Sequence, residues 1–526
     1  MLPVNRADLS TRWATDLLDG TSGPLVSGAV GQFHPIAAGG QNSSTQGAAN
    51  SLTNPWGFVL MVEGMRALTS GVVQRLHGLN RAAIPFTVDS SPDGGGAGTA
   101  GEKSRGEFWA PRWSAALSYP EMAQLFREGR AAWNGRTAAR AVHMYEAARS
   151  FGVARGVDGF TRYGIHKLNG DAHVAVTLDR VEVHEDPLVH ALLPVERWIE
   201  SSRRAQDLPT TAPQWQRADR AHLLYAKSGG TDRLVDVLAH STRLRIAVGQ
   251  SARLRAEVPP PWSLPRATLL SAPISRLMTS CPEARLARAL VAAQRPGSGP
   301  AQSVISLAVP AKAAEKGWRD AVVQGLGSRP LVDVLADLAI WCARRGPSDG
   351  KPNDNSAVLG VQLVTGTVRA PWPDLHAWVN WQLDDVAVER HLLAFLALDW
   401  RQAEVPTLRS SLPEVPHPLL ALLTPFSVGL RRADTTAPVL GLDPTWTLRL
   451  RAGQLRQVGA EAVARLAREG WRASQPFTDD SRAQGVRLAS ALLVPTQAES
   501  ALRMVTTPPR RLDEPPTSTA PLEGDI

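Results

Sequence analysis

The sequence predicts an α+β protein with a mixed α/β first half and a mainly α-helical second half. Three observations predict it. Residues 172–183, AHVAVTLDRVEV, alternate polar with β-branched residues, as a strand or hairpin does. Leu331, Val334, Leu335, Leu338, Trp341 and Cys342 recur at helical spacing, and GAEAVARLAREGW at 459–471 is amphipathic with the same period. The chain has 526 residues, beyond the roughly 250–300 at which one core stops growing, so several domains are expected.

Residues 1–30 hold a short amphipathic stretch and a Gly/Ser-rich link. Residues 31–57 are dense in Gly, Asn, Gln and Ser and read as an ordered loop ahead of an apolar helix or strand from Phe58 to Leu68. Residues 1–88 thus form an N-terminal Gly/Asn-rich recognition segment. Residues 89–105, centred on the run GGGAGTAG, lack the apolar side chains to pack and read as a flexible loop. A mixed α/β basic domain follows over 106–258, with helices at 119–133 and 136–151, where Gly152 suits a C-cap, and at 185–200 and 231–248. PPPW at 259–262 marks a boundary. A mainly helical domain spans 259–505, with a loop at 346–356 and helices around Trp378, Trp381, Val388, Leu392, Phe395 and Leu396. The Pro-rich, polar residues 506–526 read as a disordered tail.

Composition excludes several classes. Apolar residues make up 43% and charged residues 20%, a globular balance that rules out wholesale disorder or a disulfide scaffold. No stretch reaches the roughly 18 apolar residues of a membrane span, and the first residues show no secretory signal. A soluble, cytoplasmic protein is expected. Cys281 and Cys342 are too far apart in sequence for a close metal-ligand pair and read as small buried apolar residues. The net charge is +8, and lysine occurs only at 103, 167, 227, 312, 316 and 351, so 51 of the 57 cations are arginine. Arginine grips phosphate through a planar fork and stacks on bases, so this bias suggests a nucleic-acid partner.

No strong catalytic signature is present. Gly96 to Ser104 imitates a phosphate loop, but Glu102 intervenes before Lys103, where the phosphate-binding lysine must directly follow the glycine. His184 and His190, six apart with Glu185 and Asp186 between them, do not share one helix face. Asp384-Asp385 and Asp479-Asp480 read as helix caps rather than metal ligands. No cofactor is expected.

Two segments suit nucleic acid instead. In ARSFGVARGVDGFTRYGIHK, Arg149, Arg155, Arg162, Tyr163 and Lys167 interleave cations with aromatics, a pattern that suits phosphate tracking and base stacking. Gln32, Gln41 and Asn42 belong to a polar loop of groups that both donate and accept, as base-edge readers must. Arg243, Arg245, Arg253 and Arg255 alternate as on one face of strands. The residues leave three readings open: a nucleic-acid-binding protein, an assembly protein whose arginines pair with acidic partners, and a metal nuclease acting through Asp384, Asp385 or the 184–190 cluster.

The ordered set GQFHPIAAGGQNSSTQG (31–47), NPWGFVLMVEGM (54–65), GEFWAPRW (106–113), RAV…GVARGVDGFTRY (140–163), QLDDVAVERHLLAFLALDW (382–400), GQLRQVGAEAVARLAREG (453–470) and GVRLASALLVP (485–495) resembles the large subunit of type I-G (formerly I-U) CRISPR effector complexes. The resemblance covers most of residues 30–500. It implies a non-enzymatic subunit that binds guide RNA and target DNA, helps recognise the protospacer-adjacent motif, and recruits the helicase-nuclease alongside the other effector subunits. It also implies a further region ahead of Gly31 that this chain lacks. It transfers no motif-reading residue.

Overall fold

Polar–apolar alternation builds the sheet of the first half. In the computed structural model, the described residues are 7–21, 23, 25–28, 51–70, 85–89, 104–129, 131–167, 173–258, 266–294, 325–345, 361–364, 366, 368–400, 417–429, 440–474, 476 and 479–507. They divide into two units, one of residues 1–190 with 222–229, the other of 191–221 with 230–526. The fold is α+β, with a small antiparallel sheet in the first half and helices dominating the second.

The first unit opens with α1 (Ala7–Asp19), β1 (Val26–Gly28), β2 (Ser51–Thr53) and α2 (Pro55–Ser70). Asn54 ties them together: its amide donates to the Trp13 carbonyl and Asp16, and its own oxygen caps Trp56 N–H. Next come β3 (Thr87–Val88), β4 (Ser104–Arg112), α3 (Tyr119–Glu128), β5 (Ala132–Trp133), β6 (Arg136–Thr137), α4 (Ala141–Ala148), β7 (Gly159–Lys167) and β8 (His173–Glu182). The main sheet runs β3-β4-β7-β8, every pair antiparallel. One face carries the core of Phe86, Trp109, Met144, Tyr145 and Phe160.

Two expectations are corrected here. Residues 119–151 do not form two long helices. Asn134 and Gly135 both take positive φ and close the β5–β6 hairpin, as an Asn-Gly pair does between short strands. Gly152 does not supply the left-handed residue after α4. Phe151 does, at φ 52°, while a Cβ on Gly152 would lie 2.1 Å from the Ala132 carbonyl oxygen.

The second unit is helical: α5 (Leu193–Ser201), the first part of α6 (Ala212–Ser228), α7 (Thr231–Gln250), α8 (Ala252–Glu257), α9 (Ser271–Ser280), α10 (Pro282–Ala292), α11 (Leu331–Arg345), α12 (Trp372–Val379), α13 (Asp385–Leu396), α14 (Pro418–Val428), α15 (Pro444–Arg451), α16 (Leu455–Arg468), α17 (Arg482–Ala491) and α18 (Ala498–Val505). Helix α13 packs on both α7 and α10, and α11 packs on α17. Gly485 permits close approach of α17 to α15, since a Cβ there would fall 1.8 Å from the Leu450 carbonyl oxygen. The expected apolar stripe of α11 is buried at Leu331, Val334, Leu335, Leu338 and Cys342.

Arg243, Arg245, Arg253 and Arg255 lie on α7 and α8, not on strands; Ser251 separates the helices and caps the second by accepting from Leu254 N–H. The expected boundary near 259 is displaced, because α7 packs against α13 and so belongs with the later helices. Local Pro-rich punctuation does not reveal such distant packing. Cys281 is half-buried rather than buried. Of the loop expected at 89–105, residues 90–103 lie outside the described residues, while Ser104 and Arg105 already belong to β4. Of the tail expected at 506–526, Thr506 and Thr507 instead pair as a short strand with Ala473 and Arg472. The rest lies outside the described residues, as do the loop at 346–356 and the segment 259–262. Among the described residues no helix is long and apolar enough to cross a membrane.

Helix α14 begins with an imidazole cap. His417 Nδ1 accepts from Leu420 N–H, and the His417 backbone N–H donates to His376 Nδ1. Both acceptor roles require neutral rings. Burial, reinforced by His376, pushes His417 down to about 4, and burial lowers His376 as well. The folded state therefore binds fewer protons than the unfolded one between about pH 4 and 6.5, so stability is full above 6.5 and falls as the pH drops toward 4. His417 contributes up to about 3 kcal/mol to that loss. Urea midpoints measured from pH 4 to 7 should show the decline, and His417→Asn, a cap that does not titrate, should flatten part of it. His240 and His391, also lowered by burial, keep the remainder.

Candidate nucleic-acid interface

Register decides which side chains of the basic segment are available. Trp109 faces Arg162, which faces Asp179, on the inner face of the sheet. Arg162 is 1% exposed. Its Nε and Nη2 donate to the two oxygens of Glu107, each at 2.8 Å, and its Nη1 donates to the Tyr145 hydroxyl at 2.9 Å. That hydroxyl donates to Asp179 at 2.6 Å, and the Lys227 ammonium lies 2.7 Å from the same carboxylate. Two cations and two carboxylates thus balance. Burial, the largest single influence, pulls Arg162 toward the neutral form, but Glu107, Tyr145 and Asp179 together outweigh it and the guanidinium's pKa is raised. Burial also raises the Tyr145 phenol, which stays protonated and able to donate.

Arg149 is enclosed in the same way. Its Nη1 donates to the Tyr225 and Ala226 carbonyls at 2.7 and 3.1 Å, and its Nη2 pairs with Asp186. It adds donors to the last carbonyls of α6, of which the Tyr225 carbonyl also accepts from Gly229 N–H, and places a cation at the negative end of the helix. Arg149 and Arg162, expected to contact phosphate, are therefore structural: all three nitrogens of Arg162 and both terminal nitrogens of Arg149 bond to the protein itself, and the remaining Arg149 Nε is buried. Sequence spacing gives no sign of this, because the carboxylates come from Glu107 and Asp186, 55 and 37 residues away.

Arg155 is exposed in the turn before β7 and makes no ion pair among the described residues. Lys167 is the last residue of β7. Gln32, Gln41 and Asn42 lie outside the described residues. Tyr163, one residue from Arg162, points to the opposite face of the sheet, because strand side chains alternate.

That outer face is the candidate interface. Tyr163 pairs in register with Phe108 on β4 and with Thr177 on β8. The next row is Ala110, Thr161 and Arg180. Phe108 and Tyr163 are partly exposed and stand outside the core cluster on the inner face. Arg180 is exposed and its side chain makes no ion pair or hydrogen bond among the described residues. Two adjacent aromatics with hydroxyls and a free guanidinium offer a stacking platform beside a phosphate contact. The sequence reading missed Phe108 and Arg180. The alternation in GEFWAPR marks Phe108 as facing away from Trp109, but only pairing brings it beside Tyr163.

The acidic candidates are occupied. Asp384 accepts from Val386 N–H and caps α13, as expected. Asp385 accepts from Trp378 Nε1 and pairs with Arg487. Asp480 accepts from Arg456 N–H, and Asp479 pairs with the Arg456 side chain. In the 184–190 cluster, Asp186 serves Arg149 and the Leu188 N–H, while His190 stacks on Trp133.

Glu107→Gln should lower stability by about 3–5 kcal/mol, because it strands a buried guanidinium. Glu107→Leu with Arg162→Met should recover most of that loss. Arg155→Ala should remain within about 0.5 kcal/mol of the wild type. Urea denaturation of the four proteins gives the comparison.

No protein-family model matches this chain, and no curated protein matches it either.

Proposed function

We propose that the protein is a non-catalytic nucleic-acid-binding subunit that holds single-stranded RNA or DNA on the outer face of its β3-β4-β7-β8 sheet. The observation that carries this reading is the in-register pair Phe108–Tyr163, flanked by Thr161, Thr177 and Arg180 on a face that the core does not use. Bases present a π-face whatever their sequence, so such a platform binds without strong sequence preference. The exposed Arg155 adds a second cation within the same unit. The arginine-rich, net positive composition supports the same partner.

The sequence resemblance extends this to a place in a type I-G CRISPR effector, where base pairing of a guide reads the target and protein holds the backbone. In that setting the partners are guide RNA, target DNA, the other effector subunits and the helicase-nuclease, and the compartment is the cytoplasm. An assembly role has its own support: Leu17 and Leu18 on α1, and Leu60, Val62 and Met65 on α2, are exposed apolar side chains suited to a protein neighbour.

Phe108→Ala with Tyr163→Ala should weaken binding of a single-stranded oligonucleotide by 10-fold or more while leaving its salt dependence unchanged. Arg180→Ala should instead reduce the slope of log K against log salt by about 0.7, the share of one single-strand phosphate. Equal affinity in the aromatic double variant, with its circular dichroism intact, rejects the sheet-face reading. Sequencing the RNA that copurifies with the chain and its co-expressed genomic neighbours tests the effector assignment: repeat–spacer RNA supports it, and neighbours without RNA favour assembly.

A further inference from the structure

Most of the buried arginines have visible counter-charges. Arg162 has Glu107, Arg149 has Asp186, and Arg487 has Asp385. Arg285, one turn before Arg288 on α10, has Asp374 through two bonds of 2.6 and 2.7 Å. Arg288 differs. It is 5% exposed, and its Nε is buried with no hydrogen-bond partner, as are those of Arg149 and Arg245. Unlike Arg149, Arg162 and Arg487, it has no counter-charge among the described residues. Its terminal nitrogens likewise make no hydrogen bond or ion pair among the described residues. The guanidinium carbon lies 3.9 Å from the centre of the Trp400 ring.

Trp400 is a fixed platform. Its Nε1 donates to the Phe395 carbonyl at 2.9 Å, and its ring meets the Phe395 ring edge-on at 5.4 Å. Asp399, next to it, is pinned to the chain at Ala267 by a backbone hydrogen bond of 2.9 Å. Trp400 itself is only half-buried, so the stack reaches the surface along its indole. Stacking covers one face of a guanidinium and leaves its in-plane donors free. Burial lowers Arg288 to about 10, and no neighbouring charge opposes it. The group still carries its charge at neutral pH. Of the guanidinium nitrogens only Nε is fully enclosed, and an enclosed donor on a cation without a counter-charge is costly. An ordered anion would supply what is missing.

We infer that Arg288, held flat on Trp400, is a receptor for a phosphate group. A carboxylate would fit the same fork, but phosphate offers more oxygens and up to two charges to a guanidinium that no other group neutralises. The site lies in the second unit and does not rest on the sheet-face reading.

Calorimetric titration of the full chain with inorganic phosphate, against chloride at matched ionic strength, tests it. One saturable site is expected, at least 10-fold weaker in both Arg288→Met and Arg288→Lys, since the lysine keeps the charge but loses the fork. Arg288→Met should melt no lower than the wild type in chloride, and should lose the phosphate-induced rise. Phe108→Ala with Tyr163→Ala should bind phosphate as the wild type does. A single-stranded oligonucleotide that competes with phosphate identifies a nucleic-acid backbone as the source. One that does not compete identifies a small phosphorylated molecule. Both agree with the inference. Heat no greater than in chloride, or equal phosphate binding in Arg288→Met and Arg288→Lys, overturns it, as does an Arg288→Met protein that melts lower in chloride and a wild type indifferent to phosphate. If Arg288→Met does not fold, Arg288→Lys alone decides.

Discussion

The buried pair of Arg162 and Glu107 sets the first unit. Two charges in a nearly dry sheet face must find each other, and they can do so only in the register that places β7 beside β4 as observed. A slip of one residue would carry Arg162 to the outer face and Tyr163 into the core, leaving Glu107 buried and unpaired. The pair therefore holds the sheet together less by its own strength than by the cost of every alternative. Tyr145, Asp179 and Lys227 complete the balance, and Trp109 closes it by donating from Nε1 to Glu107 at 3.2 Å. Because Arg162 is fixed inward, Tyr163 and Phe108 are fixed outward, and the candidate interface follows from the core.

Arginine does two kinds of work in this chain. Arg149 ends α6, Arg162 sets a register and Arg487 ties α17 to Asp385 and the Trp378 carbonyl at the end of α12. These guanidiniums are enclosed and paired within the protein. Arg155 and Arg180 are exposed and Arg288 is enclosed, and none of the three side chains has an ion pair or hydrogen bond among the described residues. Composition counts all of them alike as evidence for nucleic acid. Only their partners separate structural cations from those that remain to bind something.

The elements are legible where one period dominates. The α11 stripe from Leu331 to Cys342, the helix of 455–468 and the strand of 173–182 lie close to where their patterns place them. The Asn134-Gly135 turn is equally local, but the helical pattern of its flanks masks it. The basic run from Arg243 to Arg255 misleads because spacing of two is compatible with a strand, while the surrounding apolar residues pack all round a helix. The domain boundary is displaced for a different reason. Helix α7 belongs with α13, about 150 residues on, and no local composition records that contact.

At the candidate site, the sequence by itself determined the chemistry available: cations and aromatics interleaved in one segment, an arginine-rich chain, and acidic pairs better suited to caps than to metal. It also determined the α+β class, since strand and helix periods are local. The tertiary structure decided which of those side chains remain free. Arg162 and Tyr163 are neighbours in sequence and opposite in fate, because a strand sends adjacent side chains to opposite faces. Glu107, 55 residues earlier, selects which face is inside. Availability is a property of pairing across the fold, so it is written in no single segment.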